Sequence, residues 1–124
     1  MISYEVYKII HLLGMFGMFL SFGGLLMYVV GGGLKSEFAH RKLVAASHGI
    51  SLFLILLGGF GMAARLQLHT DWPLWVWIKL GIWVLFGAAL AIPYRVPALA
   101  KPLWFALPIL GAFTAYIVIM KPFV

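Results

Sequence analysis

The chain has 124 residues, of which 65% are hydrophobic and 10% charged, with a formal net charge of +6 and no cysteine; its mean hydropathy is +1.09. This is far from the composition of a water-soluble domain, so the chain reads as an integral membrane protein, single-domain and all-α. Without cysteine, disulfides, zinc thiolate sites, iron–sulfur clusters and covalently attached haem are excluded within the chain, and any metal must be held by His, Met, Lys or Tyr.

The first apolar run covers residues 4–30. A hydrocarbon core of about 30 Å needs about 20 apolar residues, so the run is long enough to span. It does not read as a cleaved leader: Glu5 precedes Lys8, the run is too long, and no small-x-small site follows it. It carries His11 near one end and a stripe of small residues, Gly14, Gly17, Ser21 and Gly24, behind it. The permissive run Gly31-Gly32-Gly33 stops it, and a short polar loop with His40 follows.

The second run, 42–64, holds His48, Ser51 and the cluster Gly58, Gly59 and Gly61, which implies a close approach to its backbone. A link with Arg65, Gln67 and His69 leads to Asp71, a candidate N-cap with Trp72 and Pro73 at the first helical positions. The third run, 72–93, opens with the interfacial aromatics Trp72, Trp75 and Trp77 and contains Lys79. Pro93 and Pro97 bracket the next turn with Tyr94 and Arg95. The fourth run, 102–121, starts at Lys101-Pro102, contains Pro108 as a kink site and ends at Lys121-Pro122. Short connections make an integral membrane four-helix bundle, up-down-up-down antiparallel, the expected architecture.

The positive charge is not evidence for nucleic acid, because basic residues at helix ends anchor to lipid headgroups. Lys35, Arg41, Lys42, Arg95 and Lys101 fall at one face of the bundle. Lys8, Arg65 and Lys121 fall at the other, offset by Glu5 and Asp71. The positive-inside rule then places both termini outside the cytoplasm. The expected location is a bacterial inner membrane with periplasmic termini.

Two histidines lie inside spans, where an unpaired imidazole is costly. At 1.5 Å of rise per residue, His11 sits about 9 Å from the midplane toward the outer face and His48 about 7 or 8 Å toward the inner one. The same arithmetic puts Gly58 and Gly59 opposite His11, and Gly23 and Gly24 opposite His48. A basic nitrogen facing bare backbone suits the flat ring of haem b at one or both levels. The plainer alternative is that glycines let helices pack closely and each imidazole bonds a carbonyl. Lys79 falls in the same outer half as His11, as a partner for a haem propionate, as an axial ligand, or as a side chain snorkelling to the interface. Arg65 and His69 suit propionates or lipid headgroups at the interface. A rival metal set is Cu(I) on His11, Met15 and Met18, with Met62 approaching from the second helix.

Hydrolytic chemistry finds no support, since the acids Glu5, Glu37 and Asp71 all lie near helix ends. A small multidrug transporter needs an acidic residue well inside the first helix, and Glu5 is too near the terminus.

The segments IIHLLGMFGMFLSFGGLLMY, HRKLVAASHG and WPLWVWIKLGIWVLFGAAL resemble the CopD, SirB and HemJ type of small multi-helix membrane proteins. The shared features are a histidine and a glycine-rich end in the first helix, and a Trp-x-x-x-Lys-Leu pattern, here Trp75 to Leu80, in the third. The HemJ resemblance implies a haem b-binding protoporphyrinogen oxidase with His11 and Lys79 as key residues; the CopD resemblance implies copper transfer. After GGLLMY the chain lacks the arginine of the HemJ pattern, which points instead to a haem-binding relative or a subunit of a respiratory complex. The resulting expectation is a haem b membrane protein passing electrons between a donor such as quinol and a partner, completed by a homodimer or other membrane subunits. The alternatives are a cofactor-free structural subunit and a copper-handling protein.

Overall fold

A computed structural model of the chain describes residues 2–67 and 71–120. His69 and the Lys121-Pro122 stop lie outside the described residues. Among the described residues four helices are long and apolar enough to cross a membrane, as in an integral membrane protein, and there is no strand.

Helix α1, Tyr4–Val30, is capped by Ser3, whose hydroxyl accepts the Val6 amide hydrogen at 3.3 Å. Its 27 residues reach about 40 Å, enough for the core and one headgroup layer. Gly32 takes the left-handed backbone (φ 91°) that ends it, a conformation open to glycine at little cost. After a short 3-10 turn, Lys35–Glu37, helix α2 runs Arg41–Arg65.

Helix α3, Leu74–Ala89, starts later and ends sooner than the expected 72–93. At its start, Asp71 is left-handed (φ 51°) and Pro73 occupies the cap position, so Asp71 is not the N-cap. At its end, Pro93 lacks an amide hydrogen, and its ring would strike the carbonyl four residues back, at Ala89. The chain therefore breaks there and restarts as the short α4, Ile92–Arg95. A 3-10 turn, Pro97–Leu99, leads into α5, Ala100–Met120, which remains helical through Pro108.

Contacts between α1 and α2 run in reverse order: His11 meets Gly58, Gly14 meets Ser51 and Ile55, and Phe22 meets His48. The two helices are therefore antiparallel. Their separation is set by glycine, because a methyl on Gly58 would lie 2.6 Å from the His11 backbone nitrogen and the Tyr7 carbonyl oxygen. On Gly14 it would lie 2.7 Å from the Ser51 carbonyl oxygen.

The packing is uneven along the bundle axis. Phe22, Leu25, Leu26, Val29, Val44, Ile82, Phe86, Ala89 and Ala100 form a continuous core. They come from the second half of α1, the start of α2, the end of α3 and the start of α5, which is one end of the molecule. Edge-on aromatic contacts, Phe19–Phe86 at 5.6 Å and Phe22–His48 at 5.1 Å, tighten that end. At the opposite end, where α1 begins and α2 finishes, Ile117 of α5 is buried, but no such continuous cluster forms among the described residues.

Candidate functional site

The unfilled end holds a half-open cleft between α1, α2 and α3, closed at the back by Val118 of α5. Its polar groups are His11, Lys79, the Trp75 and Trp83 indoles and Tyr4; Gly59 provides a stretch without a side chain. The cleft, open on one side, has a cavity volume of about 120 Å³. From Trp75 near the helix start to Trp83 at the inner end is about 12 Å of helical rise, so the cleft reaches from the membrane face well into the bundle.

His11 is held by α2. Its Nδ1 lies 2.8 Å from the Ile55 carbonyl oxygen. A carbonyl only accepts, so Nδ1 carries the hydrogen and donates it, and Nε2 keeps its lone pair. The half-buried Lys79 lines the same cleft. Among the described residues that line it none carries a carboxylate, which leaves an amine and an imidazole lone pair for a ligand. Trp83 is fixed as a wall by donating its indole N–H to the Leu52 carbonyl oxygen at 3.0 Å. Trp75, Lys79 and Trp83 recur every four residues, and Ile55, Gly59, Met62 and Leu66 at four, three and four, so each helix turns one stripe to the cleft.

The other expected site residues lie elsewhere. His48 is 4% exposed, and its Nε2 donates to the Phe86 carbonyl oxygen at 3.1 Å within the packed core. Phe22 fills the position opposite it. A methyl on Gly23 or Gly24 would meet nothing within 4 Å, so these glycines open no gap toward His48. The depth reckoning found the level; at 100° per residue the neighbouring phenylalanine is the one that faces His48. Gly58 has its space filled by α1 itself, and Gly59 alone of the pair opens on the cleft, 3.7 Å from the imidazole when given a methyl. Arg65 is exposed at the end of α2, beside Leu66 at the mouth. Met18 is buried in the core, whereas Met62 lines the cleft, so the His-Met-Met set does not converge on one point.

Among the described residues no group of three or more His, Cys, Asp or Glu side chains is placed to hold a metal ion. For haem b the donor chemistry fits: a metal-binding histidine commonly donates its other ring hydrogen to a carbonyl, which fixes the tautomer. The enclosed space does not fit, because a cavity near 150 Å³ takes one benzene ring. A tetrapyrrole would lie mostly outside the enclosed part.

The sequence reading did not single out Trp83 as a site residue. Its signal was the four-residue spacing from Lys79 on one helix face. No family model, curated protein or solved structure matches the chain.

Proposed function

We propose that the protein is a small integral membrane redox protein, or the membrane subunit of an electron-transfer complex, that works with a lipid-soluble donor such as quinol at the His11 cleft. One observation carries the reading: an imidazole anchored through Nδ1 to a backbone carbonyl lines a cleft together with Lys79, with no carboxylate among the described lining residues. Buried ionisable groups of this kind mark functional sites in membrane helices. The charge asymmetry supports a bacterial inner-membrane location with the cleft end and both termini on the periplasmic side.

Haem b bound through His11 is the cofactor form of this reading; the group would supply a one-electron carrier. In that form His11 would hold the group and Lys79 would pair with a propionate, with most of the ring lying outside the enclosed part of the cleft. The visible spectrum of the detergent-purified protein, oxidised and dithionite-reduced, tests it. A Soret band and a sharp α band that disappear in His11→Ala are the expected result; a colourless protein rules the haem form out.

The second reading is a cofactor-free structural subunit. It is favoured by the Gly14 and Gly58 contacts, which commit one face of each helix to packing, and by the enclosure of His48. Copper has less support, since Met18 is held in the core.

A further inference from the structure

We infer that the cleft takes the head group of a lipid quinone in its reduced form, a single six-membered ring with two opposed hydroxyls; the inference rests on the redox reading of the same site. Size comes first. A cavity volume of about 120 Å³ is the scale of one ring and not of four. The walls suit a flat ring, with the Trp75 and Trp83 indoles along one side and Gly59 without a side chain on another.

The polar groups then choose among rings. Lys79 can only donate. His11 Nε2 can only accept, because the Ile55 carbonyl holds the ring hydrogen on Nδ1. A hydrocarbon ring satisfies neither group, and a quinone, whose oxygens only accept, satisfies Lys79 and leaves His11 facing a lone pair. A quinol satisfies both, with one hydroxyl donating to His11 Nε2 and one oxygen accepting from Lys79. A site built around a hydroxyl donor discriminates against the analogue that lacks it, because its own buried acceptor is then left unpaired. The half-open side lets an isoprenoid tail leave into lipid.

The test uses the full chain in detergent, titrated with decylubiquinol and decylubiquinone and read by quenching of tryptophan fluorescence. Saturable binding is expected, with the quinol about tenfold tighter than the quinone, the effect of one well-placed hydrogen bond. His11→Leu should remove that preference by weakening the quinol alone. Lys79→Met, which keeps the length of the side chain, should weaken both ligands. Thermal melting of each variant separates lost binding from lost folding, and Gly59→Val, which narrows the cleft beside the His11 ring and removes neither polar group, should also weaken both. Equal affinities for the two forms, or binding indifferent to all three substitutions, overturns the inference. A Soret band that is lost in His11→Leu overturns it too, yet leaves the redox reading in place. Neither haem nor quinol binding sinks both.

Discussion

Gly58 and Gly59 are adjacent on α2 and have different uses, which makes them a sharp test of the site. A methyl at Gly58 would meet α1 backbone at 2.6 Å, whereas one at Gly59 would make ordinary contact with the His11 ring at 3.7 Å. Backbone cannot step aside as a flexible side chain can, so Gly58→Ala should cost about 1–3 kcal/mol and lower the melting temperature in detergent. Gly59→Ala should leave the melting temperature near that of the parent and act on ligand binding alone. Equal losses of stability at both positions would show that α1 and α2 are not packed as described. From sequence, the pair was legible as a close approach opposite His11. Its division of labour was not, because spacing along a helix gives depth well and azimuth poorly. The same weakness assigned Gly23 and Gly24 to His48, which in fact meets the edge of Phe22.

Hydropathy made the four spans readable, and α1 and α2 begin and end within a residue of expectation because their limits are set by glycines and charges. The third span, expected at 72–93, runs Leu74–Arg95, with the left-handed turn at Asp71 before it and an interruption after Ala89, where Pro93 supplies no amide hydrogen. The cleft was legible only in part, since it depends on three stripes meeting from three helices. One connection is more ordered than its polar composition suggested. Tyr28 stacks on Phe38 with ring centroids 4.0 Å apart and donates its hydroxyl to the Leu34 carbonyl oxygen at 2.6 Å. Lys35 lies over the Tyr94 ring at 5.1 Å. Together these tie the loop after α1 to α4. Tyr28→Leu removes the stack and the hydrogen bond, worth about 1–3 kcal/mol together. Limited trypsin digestion should then cut after Lys35 about tenfold faster, because cleavage follows the population of the opened loop. An unchanged rate at Lys35 would mean that the stack does not order the loop.

At the scale of the whole molecule, one end is packed and braced, and the other is open and carries the polar groups. The arrangement has a physical logic: a cleft that admits a ligand needs space and unpaired donors or acceptors, and the stability lost there is offset by the core formed by Phe22, Leu25 and Phe86 at the far end. Burial is also unequal among the helices, 33% of the most apolar window of α1 against 11% of that of the last span, so α1 is the hub and α5 the helix least covered by the others. The charges divide along the same axis. Lys35, Arg41, Lys42, Arg95 and Lys101 ring the packed end, with Glu37 the one acid among them. Among the described residues the open end has Lys8 and Arg65 against Glu5 and Asp71. Short basic connections are retained on the cytoplasmic side, so the packed end should face the cytoplasm and the cleft should open toward the periplasm. Because the chain has no cysteine, single introduced thiols report this without background. Ile2→Cys, at the open end, should react with a membrane-impermeant maleimide in intact cells. Ser36→Cys, at the basic end, should react only after lysis. The reverse pattern would turn the cleft toward the cytoplasm, and any partner exchanging electrons there would then have to be a cytoplasmic one.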